Sequence, residues 1–404
     1  MIRKSGLLIL TMIFLINLSY GQGKQLTKEQ KVKDFLYGYE ILKDNYPFFG
    51  VRKRENGIDW LAKKKEYVTK IEITENDSAY ISVLKNIFGD LKDGHVNFNS
   101  TRFGNEGFYK LYKNAAIDNP NYNKWVEVFE NTKSRIDYWS DILKKSEKTT
   151  KAVKANKKEI RKSPLNYSDT LINNGEIGIM TILSFNGHFI DKEKVAIDSF
   201  YNQIENCKYL IINIQDNNGG STKYWRNNIV ERLLSDTVVY TSYPVIKDGP
   251  TNRHFYSEFF DEAKLLKKTD SLERIPDELI KEKYYVNTEN DTITPNNPIN
   301  FKGEIFLLVS KKVFSSSEGF AQFCKTTGWA TIAGERTGGD GIGSDPALIM
   351  LPESGILMSF PCLVGLNHDG SLNSEEKTSP DIEIEGTDSQ ERLEKLIKYL
   401  ENRK

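Results

Sequence analysis

The chain has 404 residues, room for about two to three domains at roughly 150 residues each. Its 56 basic and 56 acidic side chains cancel to a formal net charge of zero, which excludes the cationic footprint of a nucleic-acid binder. Cys207, Cys324 and Cys362 are far apart, with no CxxC or Cys/His metal spacing; they read as small buried hydrophobes, at least one of them a free thiol.

Taken in chain order, Arg3 and Lys4 precede the apolar run Leu7 to Leu18 and then Ser19-Tyr20-Gly21-Gln22. This is the pattern of a secretory signal peptide, residues 1–21, cut after Gly21. The competing reading is a membrane anchor, but the run falls short of the ~20 apolar residues a span needs. The mature chain is therefore expected to be exported, periplasmic or extracellular, with no stable membrane span.

Residues 27–100 read as an N-terminal helical domain. Val32, Phe35, Leu36, Tyr39 and Leu42 share one helical face, and Tyr80, Leu84, Ile87, Phe88 and Leu91 repeat the spacing. Gly94 is expected to stop that second helix, and His95 follows it directly. Residues 101–170 read as a basic helical connection. Nine basic and two acidic residues lie between Lys144 and Lys162, a solvated helix face or an anion-binding patch.

The texture changes after residue 171. "IGIMTILSF" (177–185), "YLIINI" (209–214), "EIFLLVS" (304–310) and "WATIAGE" (329–335) are short β-rich runs separated by polar or helix-patterned sequence. Such alternation predicts an α/β core with a largely parallel sheet buried on both faces, spanning 171–387. A charged, weakly helical insertion interrupts it at about 250–300. Leu393, Leu396, Ile397 and Leu400 mark a closing amphipathic helix within 388–404.

Ligands of open α/β sheets bind where strands end and helices begin, and two such junctions stand out. At the first, "YLIINI" runs into Asn217-Asn218-Gly219-Gly220. Paired glycines let main-chain N–H groups face a ligand with no Cβ in the way, although a plain glycine-rich turn fits equally well. At the second, "EIFLLVS" runs into "KKVFSSSEGFAQF". Ser315-x-x-Glu318 fits a helix capping box. It also fits a nucleophile, because the free amides and positive dipole end of a helix lie beside it. A serine hydroxyl needs a base, and the four histidines are His95, His188, His254 and His368.

Together these segments resemble peptidase family S41, the C-terminal-processing and tricorn-core serine peptidases. "GDLKDGHVNF" resembles the helix-end Asp-x-His segment of that family, and "YLIINIQDNNGG" its strand and Asn-Asn-x-Gly-Gly turn. "LLVSKKVFSSSEGFAQFCKTTGWATIAGERTGG" resembles its nucleophile segment, and "HDGSLNSEEKTSPDIEIE" its closing Pro-Asp-Ile segment. The resemblance covers about residues 30–100 and 175–385. Residues 105–165 show no PDZ-like pattern, so no PDZ domain is expected.

The resemblance implies a ClpP/crotonase-like α/β core. It places the nucleophile on Ser315, with Ser316 as the fallback, and the general base on His95. The oxyanion hole would use the Ser316 N–H with Gly219 or Gly220. Three positions depart from the family. Gly94 stands immediately before His95, where the tricorn-like branch would supply a serine partner. Asp340 stands where the processing branch carries its base lysine, which disfavours a Ser–Lys mechanism. Ser374 stands where the tricorn-like branch carries a glutamate, which leaves Glu375, one residue on, to orient the histidine.

The expected protein is thus an exported serine peptidase acting on peptide or protein substrates, with no cofactor and no metal. The alternatives are a catalytically silent relative that binds peptides or small ligands, and an acyl-CoA enzyme on the same core, against which the leader argues. The chain has no G-x-S-x-G elbow of an α/β-hydrolase.

Overall fold

The computed structural model describes residues 25–98, 106–131, 139, 165–269, 272–341 and 343–403. The leader and the basic run Lys144–Lys162 lie outside the described residues, as does most of the stretch expected to lack a PDZ domain. Among the described residues no helix is long and apolar enough to cross a membrane.

The N-terminal part is helical, as its spacing predicts. Thr27 and Gln30 close a capping box on the helix Lys28–Asn45, which buries Phe35, Tyr39 and Leu42. Asn76 caps the helix Asp77–Gly89, which buries Tyr80, Ile81, Leu84, Ile87 and Phe88. Between these helices Tyr39 stacks on Trp60 at 5.1 Å, and the indole N–H of Trp60 donates to the Ile87 carbonyl at 2.8 Å. The second helix ends at Gly89 rather than Gly94. The chain then turns through Lys92, at φ 50°, which leaves Asp93, Gly94 and His95 in an irregular segment free to aim side chains.

The core is a six-stranded sheet in the order Ile382–Glu383, Thr331–Gly334, Glu304–Val309, Tyr209–Asn213, Ile177–Ile182, Tyr167–Ile172. All its pairings are parallel except that of the edge strand Tyr167–Ile172. Alternate residues serve opposite faces. Met180, Ile182, Leu210, Ile212, Leu307 and Val309 pack against Phe320, Phe323 and Cys324 of the helix Ser316–Thr327. Ile177, Ile179, Ile211, Phe306 and Leu308 pack against Leu396 and Leu400 of the closing helix Ser389–Glu401. The expected fold class, an α/β core with an N-terminal helical region, is the one observed.

Two smaller sheets flank this core. The long strand Val238–Lys247 pairs antiparallel with Leu363–Leu366, Tyr284–Val286 and Glu289–Ile293. The stretch expected as a weakly helical insertion therefore carries strands as well as helices. The hairpin Ala347–Met350/Leu357–Phe360 takes Asn97–Phe98 as a third strand, with Asn97 opposite Ser359. This pairing joins the residues after His95 to the C-terminal half of the chain.

Candidate active site

The strand Glu304–Val309 delivers the chain to a tight corner. Ser315 sits there at φ 59°, ψ −128°, immediately before the helix Ser316–Thr327. A non-glycine residue in that region stores on the order of 1–3 kcal/mol and persists only where its surroundings hold it. Here the Ser315 N–H donates to the Gly339 carbonyl at 3.3 Å, and the Ser315 carbonyl accepts from the Gly319 N–H at 2.9 Å. The Ser315 side chain makes no cap bond and is partly exposed, so solvent reaches this corner.

The three serines differ. The Ser317 hydroxyl is fully buried; it accepts from the Phe314 N–H at 3.1 Å and donates to the Asn217 carbonyl at 2.7 Å. The Ser316 hydroxyl is buried, with no partner among the described residues. Of the three, only Ser315 is partly exposed, and its hydroxyl makes no hydrogen bond among the described residues. The expected capping box is absent, because Glu318 points away from the helix start. Its buried carboxyl accepts from Thr378 Oγ1 at 2.5 Å and Asn373 Nδ2 at 3.1 Å. Burial raises its pKa against the pull of these donors.

The strand Tyr209–Asn213 delivers the glycine turn to the same corner. Gly219 and Gly220 have φ of 107° and 140°, conformations that favour glycine. A Cβ on Gly219 would lie 2.8 Å from the Phe314 carbonyl oxygen, 3.0 Å from Ser315 Cβ and 3.1 Å from the Ser316 nitrogen. The turn thus lies directly against the serine. The Gly219 N–H is not a free donor, since Asn217 Oδ1 accepts it at 2.9 Å. The N–H groups of Gly220 and Ser316 make no hydrogen bond among the described residues. Gly220 and Ser316, rather than Gly219, are therefore the unengaged pair.

His95 reaches the corner from the helical region. Its ring stacks on Phe314, the residue before Ser315, at 5.0 Å and 27°, and its Nδ1 lies 2.8 Å from Asp340 Oδ2. Its N–H donates to Asp93 Oδ1 at 2.8 Å, and its carbonyl accepts from the Ser359 hydroxyl at 3.0 Å. Burial opposes charge on the imidazole, but the Asp340 carboxylate outweighs it and the His95 pKa is raised. A Cβ on Gly94 would meet the Phe314 ring at 3.3 Å, a tight contact to which the ring would have to give way by a few tenths of an ångström.

The carboxylate on Nδ1 is not the one the sequence suggests. Glu375 is gripped by Arg54, whose Nε and Nη2 donate to its two oxygens at 2.6 and 2.8 Å. The position is filled by Asp340, buried at 6 % exposure on a loop one residue beyond the Gly339 carbonyl that holds Ser315. Sequence reasoning weighed Asp340 only as a missing lysine. The two segments are neighbours, however: a Cβ on Gly339 would lie 3.1 Å from the Ser374 carbonyl oxygen. The carboxylate suggested by the sequence and the one observed at Nδ1 thus stand on two segments packed against each other.

The other imidazoles have different surroundings. His188 meets Lys192, His254 packs edge-on against Phe255, and His368 edge-on against Tyr243. Ligand-type atoms of Asp93, His95 and Asp340 lie within 4.8 Å of one another. Both Asp93 oxygens are already engaged, and Arg52 adds positive charge beside them, so this cluster suits a hydrogen-bonded relay better than a cation.

A family model described as Peptidase family S41 matches residues 176–384, just over half of the chain. Among solved structures, that of mature CPAF is 13 % identical with a TM-score of 0.55, over 93 % of this chain and 96 % of that one. A structure from Parabacteroides merdae ATCC 43184, described as that of a peptidase, is 19 % identical with a TM-score of 0.55, over 93 % and 97 %. At these identities the likeness is one of fold. No protein of curated function matches the chain.

Proposed function

The chain belongs to peptidase family S41, and from that premise we propose that it hydrolyses peptide bonds with Ser315 as nucleophile, His95 as general base and Asp340 as the carboxylate that orients His95. The observation that carries this reading is the ring of His95, held between Asp340 at Nδ1 and the face of Phe314, the residue that precedes the strained Ser315. The bond at Nδ1 fixes that nitrogen as the donor and leaves Nε2 as the acceptor of a proton.

Ser315 Oγ attacks the substrate carbonyl carbon while its proton passes to His95 Nε2. The negative oxygen is received by the Ser316 and Gly220 N–H groups, the first at the positive end of its helix. His95 then protonates the leaving amine as the C–N bond breaks, giving an acyl-enzyme. Water attacks next, giving one proton to His95. Expulsion of Ser315 takes that proton back and frees the new carboxyl end. The leader pattern in residues 1–21 supports an exported enzyme acting on peptides or proteins.

The test is labelling with a fluorophosphonate probe. Native protein is expected to be labelled at one serine and the Ser315→Ala variant not at all. A native protein that stays unlabelled while binding peptides saturably would make the chain a silent relative instead.

A further inference from the structure

An aspartate two residues from a general-base histidine is a hazard, because an uncompensated carboxylate would hold the imidazole protonated and unable to accept a proton. Asp93 is in that position, and its side chain is fully buried. Its surroundings are specific. Oδ1 accepts the His95 N–H at 2.8 Å. Oδ2 accepts the Tyr46 hydroxyl at 2.6 Å and Arg52 Nη2 at 3.3 Å. Arg52 comes from the helix Phe49–Asn56 and lies over the Phe48 ring at 5.5 Å.

The charges alternate outward from the imidazole. Behind Arg52 stands Glu55 at 2.8 Å, and behind Glu55 stands Lys377 at 3.4 Å. On its other side His95 faces Asp340, and Phe314 covers its face with a neutral ring. His95 therefore sees two carboxylates, of which only Asp93 carries its own counter-charge.

We propose that Asp93 and Arg52 are positioning residues: Asp93 fixes His95 through its main-chain N–H, and Arg52 offsets the Asp93 charge so that Asp340 chiefly governs how readily the ring takes a proton. The helical region, which lies outside the segment matched by the family model, thereby tunes the active site as well as supplying its histidine. The kinetic part of this inference rests on the Ser315–His95 reading; the electrostatic part does not.

The test is a histidine NMR titration of the full chain. With four imidazoles in the sequence, His95→Gln identifies the signal of interest. In Arg52→Gln the His95 midpoint is expected to rise by about half a unit or more, and in Asp93→Asn to fall by about as much. Arg52→Lys keeps the charge and should stay near the native value. The pH limb of fluorophosphonate labelling should follow each midpoint, with the high-pH plateau held within about threefold. Midpoints that agree within about 0.2 unit, or that move in the same direction in Arg52→Gln and Asp93→Asn, overturn the proposal. If Arg52→Gln fails to fold, Asp93→Asn against Arg52→Lys decides it on the same criterion. Midpoints that shift in a protein that never labels would leave this inference standing and remove the peptidase reading. Labelling with unmoved midpoints would do the reverse.

Discussion

A carboxylate 2.8 Å from His95 Nδ1 does two things to the ring: it selects the tautomer that leaves Nε2 free, and it favours the charged form. In Asp340→Asn the amide can donate to Nδ1 and stabilise the wrong tautomer, so labelling and turnover are expected to fall by about 10³–10⁴. The pH dependence carries its own sign. The neutral imidazole is the base, and its pKa is raised above the ordinary 6.5 because Asp340 outweighs burial. The native rate should therefore climb with pH through a midpoint above 6.5, and loss of the Asp340 charge should move that limb to lower pH while the plateau drops. A rate–pH profile of the two proteins checks both effects. Little in the sequence marked Asp340 for this role. The partner of Nδ1 is defined by reach in space, and residues 337–341 and 373–378 are bound to each other: the Thr337 N–H donates to the Thr378 carbonyl at 3.1 Å, and the Gly341 N–H to Asn373 Oδ1 at 2.9 Å. An acid on either segment can serve one site, and spacing along the chain cannot say which does.

The serine corner and the glycine turn act as one unit, and Ser317 joins them. Its hydroxyl connects the Phe314 N–H to the Asn217 carbonyl, so it sets the distance between the nucleophile and the turn that bears the Gly220 N–H. Ser317→Ala leaves both buried groups unsatisfied at a cost of about 1–3 kcal/mol. Denaturant unfolding should show that loss, and labelling of the folded protein should slow by about ten- to a hundredfold as the two elements drift apart. Stability lost with labelling unchanged would make Ser317 a packing residue only. The sequence showed both elements, because each is an apolar strand that ends in residues with a special backbone role. It could not show that Ser315-x-x-Glu318 is no capping box. Glu318 has better partners in Thr378 and Asn373, and these lie some sixty residues further along the chain. The helix end at Gly89 was misjudged for a related reason: the apolar period runs on through Leu91, which stays buried after the helix has ended.

The site is assembled from segments spread over most of the chain. The parallel sheet was legible because its strands, buried on both faces, read as unbroken apolar runs. The flanking strand Val238–Lys247 was not read, since its partners are remote and part of its length is exposed. The closing helix was visible as an amphipathic stripe, but not its second task, which begins at Arg392. This side chain is buried at 6 % exposure, with Glu335 at 3.2 Å. Its Nε donates to Gln215 Oε1 at 2.6 Å and its Nη1 to the Gly386 carbonyl at 2.8 Å. Gln215 opens the turn that leads to Gly219 and Gly220; its Nε2 returns to the Ser389 carbonyl at 3.0 Å, and its own carbonyl takes the Ser310 hydroxyl at 2.6 Å. One buried arginine thus braces the glycine turn from beneath, tying the last helix to both strand ends of the site. Arg392→Met keeps much of the bulk but leaves Gln215 and Gly386 without their donor and Glu335 without its counter-charge, and removal of one partner from such a buried network costs about 3–5 kcal/mol. The unfolding midpoint in denaturant should fall accordingly. Because Gln215 is then free to turn, labelling of Ser315 should slow under conditions where the variant is still folded. Unchanged labelling alongside the lost stability would confine Arg392 to holding the helix, and the turn would have to be kept in place by Asn217 and Ser317 alone.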